Sequence, residues 1–298
     1  MRSLVPKLGT ALMGLLGCFC APVLAQQIQA PSFVQAQEVV RSTPAGQLVA
    51  EVVKNELSAH GEGRFMYRDL RTTPEGEKTK ELVETDAGVV ARLIAINGQP
   101  LTPQQRAEEE ARLQDLSQHP ERQRQRQREQ QQDDEQVRKL FAELPKAFHY
   151  QYEGTDEGKS GELIRLGFTA DTQYQPSSRE TSVFKAMSGK LWVAIPDYRL
   201  ARIEATLFRD VTFGWGLFGR LDKGGHFFVE QSKIGPQRWE TTYMNLQFTG
   251  KILLFKTLNL CQVDRLSDFH AVPGGLTLTQ GIELLEKNGS EMADNNGN

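Results

Sequence analysis

The sequence predicts a mainly β protein with helices, an α+β chain. Its strands would form one strongly curved antiparallel sheet or an incomplete β-barrel plugged by helices. Three observations carry this expectation. Short strand-like runs succeed one another with brief turns rich in Gly, Pro, Asn and Asp. Two segments carry apolar stripes at helical spacing and can serve as the plug. Between them lies a polar insert that belongs to neither pattern. The runs number about ten or eleven, enough for an up-and-down sheet or open barrel.

The front of the 298-residue chain reads as a targeting segment. Arg2 and Lys7 precede an uncharged run from Leu8 to Ala25, and Val23-Leu24-Ala25 offers small residues at a cleavage site. A signal peptide over 1–25 implies export to the periplasm. An alternative is a lipid anchor on Cys18, since Leu15-Leu16-Gly17-Cys18 resembles a lipobox. Cleavage after Ala25 would remove Arg2 and Lys7, leaving 33 basic against 38 acidic residues, a charge of −5. No nucleic-acid partner is expected of so acidic a chain. No second apolar run is long enough for a transmembrane segment in the mature chain. Cys261 would then be the remaining thiol, in Leu258-Asn259-Leu260-Cys261-Gln262-Val263, which reads as an apolar strand with a buried, structural cysteine.

Residues 26–43 read as a flexible lead-in, and a single domain is expected over 44–287. Pro44 opens a helix in which Leu48, Val49, Val52, Val53 and Leu57 recur at helical spacing, with His60-Gly61 as the stop. Three strands follow in a meander. Phe65 to Leu70, Thr79 to Thr85 and Val89 to Ile96 are separated by Pro74-Glu75-Gly76 and Asp86-Ala87-Gly88, and Asn97-Gly98 closes the last.

Thr102 caps a helix that Pro103 begins. A polar arm, helical or disordered, occupies about 103–144. From Gln118 to Gln136 Pro120 is the one apolar residue, and arginines alternate with glutamines from Arg122 through Arg124 and Arg126 to Arg128. A two-residue repeat advances 200° per step on a helix, so these charges spread around it. A solvated arm and an arm that binds a partner both remain open. Val137, Leu140, Phe141 and Leu144 then restore an apolar stripe.

The remainder is strands. Phe148 to Tyr152 and Glu162 to Phe168 flank a polar loop at 154–158. Lys190 to Ile195, Arg199 to Phe213 or beyond, His226 to Lys233, Arg238 to Phe248 and Lys251 to Asp264 follow, with a turn at Gly250. The longest would carry Ile203, Ala205, Leu207, Arg209, Val211, Phe213, Trp215 and Leu217 on one face. Residues 288–298 read as a disordered tail.

Chemistry motifs are scarce. Gly214-Trp215-Gly216-Leu217-Phe218-Gly219 matches G-x-G-x-x-G, but a turn into another strand follows it, where a dinucleotide site needs a helix N-terminus. The five histidines show no metal-ligand spacing, and no hydrolase or redox motif is present. No catalytic residue, metal or cofactor is expected, and the protein reads as no enzyme. An envelope hydrolase is the weakest alternative. Trp192, Trp215 and Trp239 read as core anchors.

Gly189-Lys190-Leu191-Trp192-Val193-Ala194-Ile195-Pro196-Asp197-Tyr198-Arg199-Leu200-Ala201-Arg202-Ile203-Glu204 resembles the outer-membrane lipoprotein-sorting proteins of the LolA/LolB/RseB-like superfamily. Trp239 to Tyr243 and Lys251 to Lys256 look like that family's following hairpin. The resemblance is best over 188–269. It implies an incomplete barrel around helices and a hydrophobic cavity, hence a periplasmic carrier or chaperone for lipid or lipoprotein acyl chains. Leu207, Val211, Phe213, Trp215, Leu217 and Phe218 are the candidate cavity or lid residues, on a strand whose glycines let its end bend. The alternative is an envelope sensor or scaffold of the same fold that binds a partner protein through the Arg122–Arg128 arm. A monomer is expected.

Overall fold

The computed structural model describes residues 33–59, 62–159, 161–195, 197–213, 219–252 and 256–295. The signal-peptide segment, Cys18 and Cys20 lie outside these residues. The chain divides into two compact units, one containing Asp134–Cys261 and the described residues up to 59, the other Glu62–Asp133 and the described residues from Gln262 onward. Thirteen strands pair antiparallel among the described residues, with five α-helices beside them. The fold is thus mainly β with helices, and the sheets stay open.

In the first unit the strands run in the order β12 (Arg238–Ile252), β11 (His226–Gly235), β8 (Arg199–Leu207), β7 (Met187–Ala194), β6 (Gly161–Ala170) and β5 (Phe148–Gly158). Strand β5 is a free edge. One face is apolar because the strand period of two sends Ile164, Leu166 and Phe168 to the same side as Leu191, Val193, Ile203 and Leu207. Two helices cover that face. α2 (Ala45–Ser58) starts behind Pro44 and turns Leu48, Val49, Val52 and Val53 into the core. α1 (Phe33–Ser42) adds Ala36, Val39 and Val40, so residues expected as lead-in are helical.

The long strand expected from Arg199 onward breaks after Leu207. Leu207 donates its N–H to the Gly225 carbonyl and Phe208 donates to Ala186, which takes both out of a continuing ladder. A short hairpin follows, β9 (Val211–Phe213) with β10 (Gly219–Leu221), and β10 pairs with the end of β12. The expected turn at Gly250 is absent too. Gly250 lies inside β12, where a Cβ would stand 2.0 Å from the Arg220 carbonyl oxygen. The glycine is there because β10 approaches so closely.

The second unit holds β1 (Arg64–Thr73), β2 (Gly76–Thr85), β3 (Gly88–Ile96) and the two-residue β4 (Gln99–Pro100). The later part of β13 (Lys256–Val272) pairs with β1. The short β4, with β9 and β10, takes the count among the described residues to thirteen, above the ten or eleven expected. Asn97 and Gly98 both have positive φ, 51° and 73°, the geometry of the primed turns that join antiparallel neighbours. α3 (Pro103–Gln118) opens with a complete capping box between Thr102 and Gln105. α5 (Leu278–Asn295) turns Leu278, Ile282 and Leu285 onto Val83, Val90, Leu113 and Leu116. It runs through 288–295, expected as tail.

The polar arm is helical on both sides of a break at His119, with α4 (Pro120–Ala147) following α3. Gln123, Gln127, Gln130, Asp134, Val137, Phe141 and Leu144, spaced alternately four and three apart, are all buried or half-buried. This is a heptad stripe in which glutamine replaces the apolar residue over the first half. Gln123 donates to the Ala87 and Val89 carbonyls at 3.2 and 3.1 Å, which satisfies its buried amide. Arg122, Arg124, Arg126 and Arg128 are exposed. Cys261 is exposed as well, contrary to the expected buried thiol, because Gln262, Asp264 and Leu266 take the inward register of β13.

Candidate functional site

Of the six predicted cavity residues, three are described. Leu207 and Val211 are buried in the core of the first unit and Phe213 is partly buried against it. Trp215, Leu217 and Phe218 lie outside the described residues. The structure thus brings Leu207, Val211 and Phe213 into the apolar layer beneath the helices. Phe208, the residue at which β8 breaks, is 46% exposed, with the Arg209 guanidinium 5.8 Å from its ring centre.

At one end of that layer is a tightly held turn. Arg199 forms a two-pronged ion pair with Glu56 of α2, at 2.8 and 2.9 Å, and the Leu200 N–H donates to the same carboxylate at 2.8 Å. Both side chains are about nine-tenths buried (11% and 10% exposed). Pairing with added backbone donation is what makes such buried charges tolerable. Asp197 accepts from the Lys233 ammonium at 2.9 Å and the Trp239 indole N–H at 3.1 Å. Between these anchors Tyr198 has φ 48°, a left-handed conformation that a bulky residue seldom adopts.

The opposite face of the same sheet carries a cross-strand row of Arg165, Trp192, Arg202 and Glu230. The Trp192 indole donates to Asp156 at 2.6 Å, and the Arg202 guanidinium stacks 5.1 Å from the Trp192 ring. The indole bond, with help from Arg165, holds the Asp156 carboxyl below the usual range despite the opposing effect of burial. Trp192 and Trp239 are therefore anchors of the fold, each with its N–H on a carboxylate.

The second unit contains a buried charge cluster around Asp264. Arg71 donates to both oxygens of Asp264, at 2.8 and 2.9 Å, and Gln262 donates to Asp264 at 2.7 Å. Asp264 is fully buried and Asp69 is 4% exposed. Asp69 has one carboxylate oxygen without a hydrogen-bond partner. Burial first, then the Asp264 charge, pushes Asp69 up to about 6, against the weaker pull of Arg71 and Lys80. The sequence did hold a signal: Asp69 and Arg71 continue the inward face of Phe65 and Tyr67.

Two open surface clefts, about 340 and 260 Å³, lie in the first unit. None of the predicted cavity residues lines either. The larger lies against α2 and Tyr198; the smaller runs past Lys139, Glu143 and Ser178. Among the described residues no group of three or more His, Cys, Asp and Glu is placed to hold a metal ion. No helix among them is long and apolar enough to cross a membrane.

The chain is similar to several solved structures. One is a LolA superfamily protein from Nitrosomonas europaea, at 8% identity and a TM-score of 0.26, covering 80% of this chain and 98% of that one. Another is described as an outer membrane lipoprotein-sorting protein domain from Vibrio parahaemolyticus, at 8% identity and a TM-score of 0.28, covering 81% and 98%. A third is a DUF1329 family protein from Desulfovibrio piger, at 11% identity and a TM-score of 0.27, covering 79% and 96%. No family model matches the sequence, and no curated protein matches it.

Proposed function

We propose that this is an exported envelope protein that carries lipid or lipoprotein acyl chains and performs no chemistry on them. One observation carries the reading. The apolar face of the first unit is closed by two amphipathic helices through side-chain packing, with Leu48, Val49, Val52 and Val53 of α2 set on the strands. An acyl chain gains about 0.8 kcal/mol per buried CH₂, so a chain that took the place of a helix face would recover comparable burial. Leu207, Val211 and Phe213 belong to the layer such a chain would meet. The sequence resemblance over 188–269 points the same way. Native mass spectrometry of the full chain extracted gently from envelopes tests the reading. Co-purified acyl lipid is expected. A lipid-free protein that also takes up no fluorescent fatty acid would overturn it.

A second reading rests on α4. Arg124, Arg126 and Arg128 are exposed, and no carboxylate among the described residues pairs with them. A partner-binding sensor would use this face. Replacing all three by Gln, which leaves the Gln123 stripe intact, separates the readings: partner capture is lost while lipid uptake survives.

A further inference from the structure

The larger cleft of the first unit has the chemistry of a different ligand. Its lining is Thr43, Gln47, Leu48, Glu51, Asn55 and Tyr198. Gln47, Glu51 and Asn55 follow one another four apart on α2 and form a single ridge of polar side chains, with Thr43 just ahead of the helix at its near end. From Gln47 to Asn55 the ridge spans about 12 Å at the helical rise of 1.5 Å per residue. The facing wall is Tyr198.

Both walls are fixed. The left-handed Tyr198 is held by Asp197 on Lys233 and Trp239 on one side and by the buried Arg199–Glu56 pair on the other. Its own carbonyl accepts from Asn55 Nδ2 at 3.4 Å. The near end is pinned by the Tyr152 hydroxyl, which donates to the Thr43 carbonyl at 2.6 Å. A strained aromatic held this firmly from several sides is the kind of conformation that persists where surroundings over-determine it, and such positions cluster at binding sites.

The lining excludes other occupants. An acyl chain would find no exposed aliphatic side chain, since Leu48, the one in the lining, is fully buried in the core. A strongly charged ligand would find Glu51, whose charge is already partnered by Lys54 at 3.8 Å. What the cleft offers is an aromatic ring, two side-chain amides, one carboxylate acceptor and one hydroxyl, laid out over the length of two sugar rings. A saccharide matches this set, with a C–H face on the ring and hydroxyls on the polar ridge.

We propose that the cleft between the Gln47–Asn55 ridge and Tyr198 binds a short neutral saccharide. The site is independent of the acyl-chain reading and survives its failure. The test is saturation-transfer NMR on the full chain with maltose and with diacetylchitobiose as probes. Transfer to sugar C–H protons is expected for at least one, with a Kd of about 1 mM. Tyr198→Gly removes the ring and accepts φ 48° without strain; because the ring also packs against the core of the first unit, the melting temperature of the variant is measured alongside to show that it is folded. Binding should weaken about tenfold or more in that variant. Gln47→Ala, an exposed helix position, provides a second variant that leaves the turn untouched and should also weaken binding. Absence of transfer to both disaccharides, or transfer undiminished in both variants, would overturn the proposal.

Discussion

Asp69→Asn should make the second unit more stable at neutral pH and flatten its response to acid. The Asp69 carboxyl is pushed from its ordinary 3.8 to about 6, chiefly because it is buried and secondly because Asp264 stands near it. Below pH 3.8 the group is protonated in both folded and unfolded chains and makes no difference. As pH rises from there to about 6 the unfolded chain ionises first, while the folded one keeps its proton, so stability falls. Above about 6 the whole loss remains. A displacement of about two pH units at about 1.4 kcal/mol each amounts to roughly 3 kcal/mol. Asparagine cannot ionise and fills nearly the same space, so its curve lacks this component. The readout is amide hydrogen exchange of β1 and of the part of β13 paired with it, Arg64 to Thr72 against Val263 to Val272. Opening free energies are compared between about pH 4 and pH 8, after correction for intrinsic exchange. The wild type is expected to lose up to about 3 kcal/mol relative to the variant across that window. The Arg71–Asp264 and Arg68–Asp268 pairs and Lys80 are common to both proteins, so the difference isolates Asp69. Equal pH dependence in the two proteins would refute the reasoning.

Two further predictions concern the first unit. Glu56→Gln or Arg199→Met alone leaves one buried charge without its partner and should cost about 3–5 kcal/mol by denaturant titration, whereas the double change should recover much of the loss. Single variants that unfold like the wild type would show that the pair is dispensable. Gly250→Ala drives a methyl group to within 2.0 Å of the Arg220 carbonyl oxygen as the backbone stands, so β10 must shift. A loss of about 1–3 kcal/mol, with faster exchange of the amides at the β10–β12 pairing, is expected; unchanged exchange there would contradict the close approach.

Much of the fold was legible because local pattern and tertiary environment agree. The meander of β1 to β3, its Asn97-Gly98 turn, the Thr102 cap and the Leu48 helix all declare themselves by period or by turn chemistry. The departures occur where a distant segment overrides the pattern. The run after Arg199 alternates well enough for one long strand, yet Phe208 bonds to Ala186 and the ladder stops. Gly250 looks like a turn because glycine marks both turns and close contacts, and the partner making that contact, Arg220, is thirty residues away. Cys261 reads as buried because its neighbours are apolar, but the inward register of β13 is set by Asp264, which pairs with Arg71 on the neighbouring strand and accepts from Gln262 on its own. In α4 the alternating arginines mask the glutamine heptad beside them.

The sequence by itself determined an antiparallel β protein with helical cover, because side-chain period and turn residues act within a few positions of one another. It also indicated the apolar layer that includes Leu207, Val211 and Phe213. Only the tertiary structure decided which polar residues would be buried together. Asp69 with Arg71 and Asp264, Glu56 with Arg199, and the Tyr198 cleft against α2 join residues that are in most cases more than a hundred positions apart. Charge interactions of that kind carry no sequence period, because they depend on distance and burial in the folded chain.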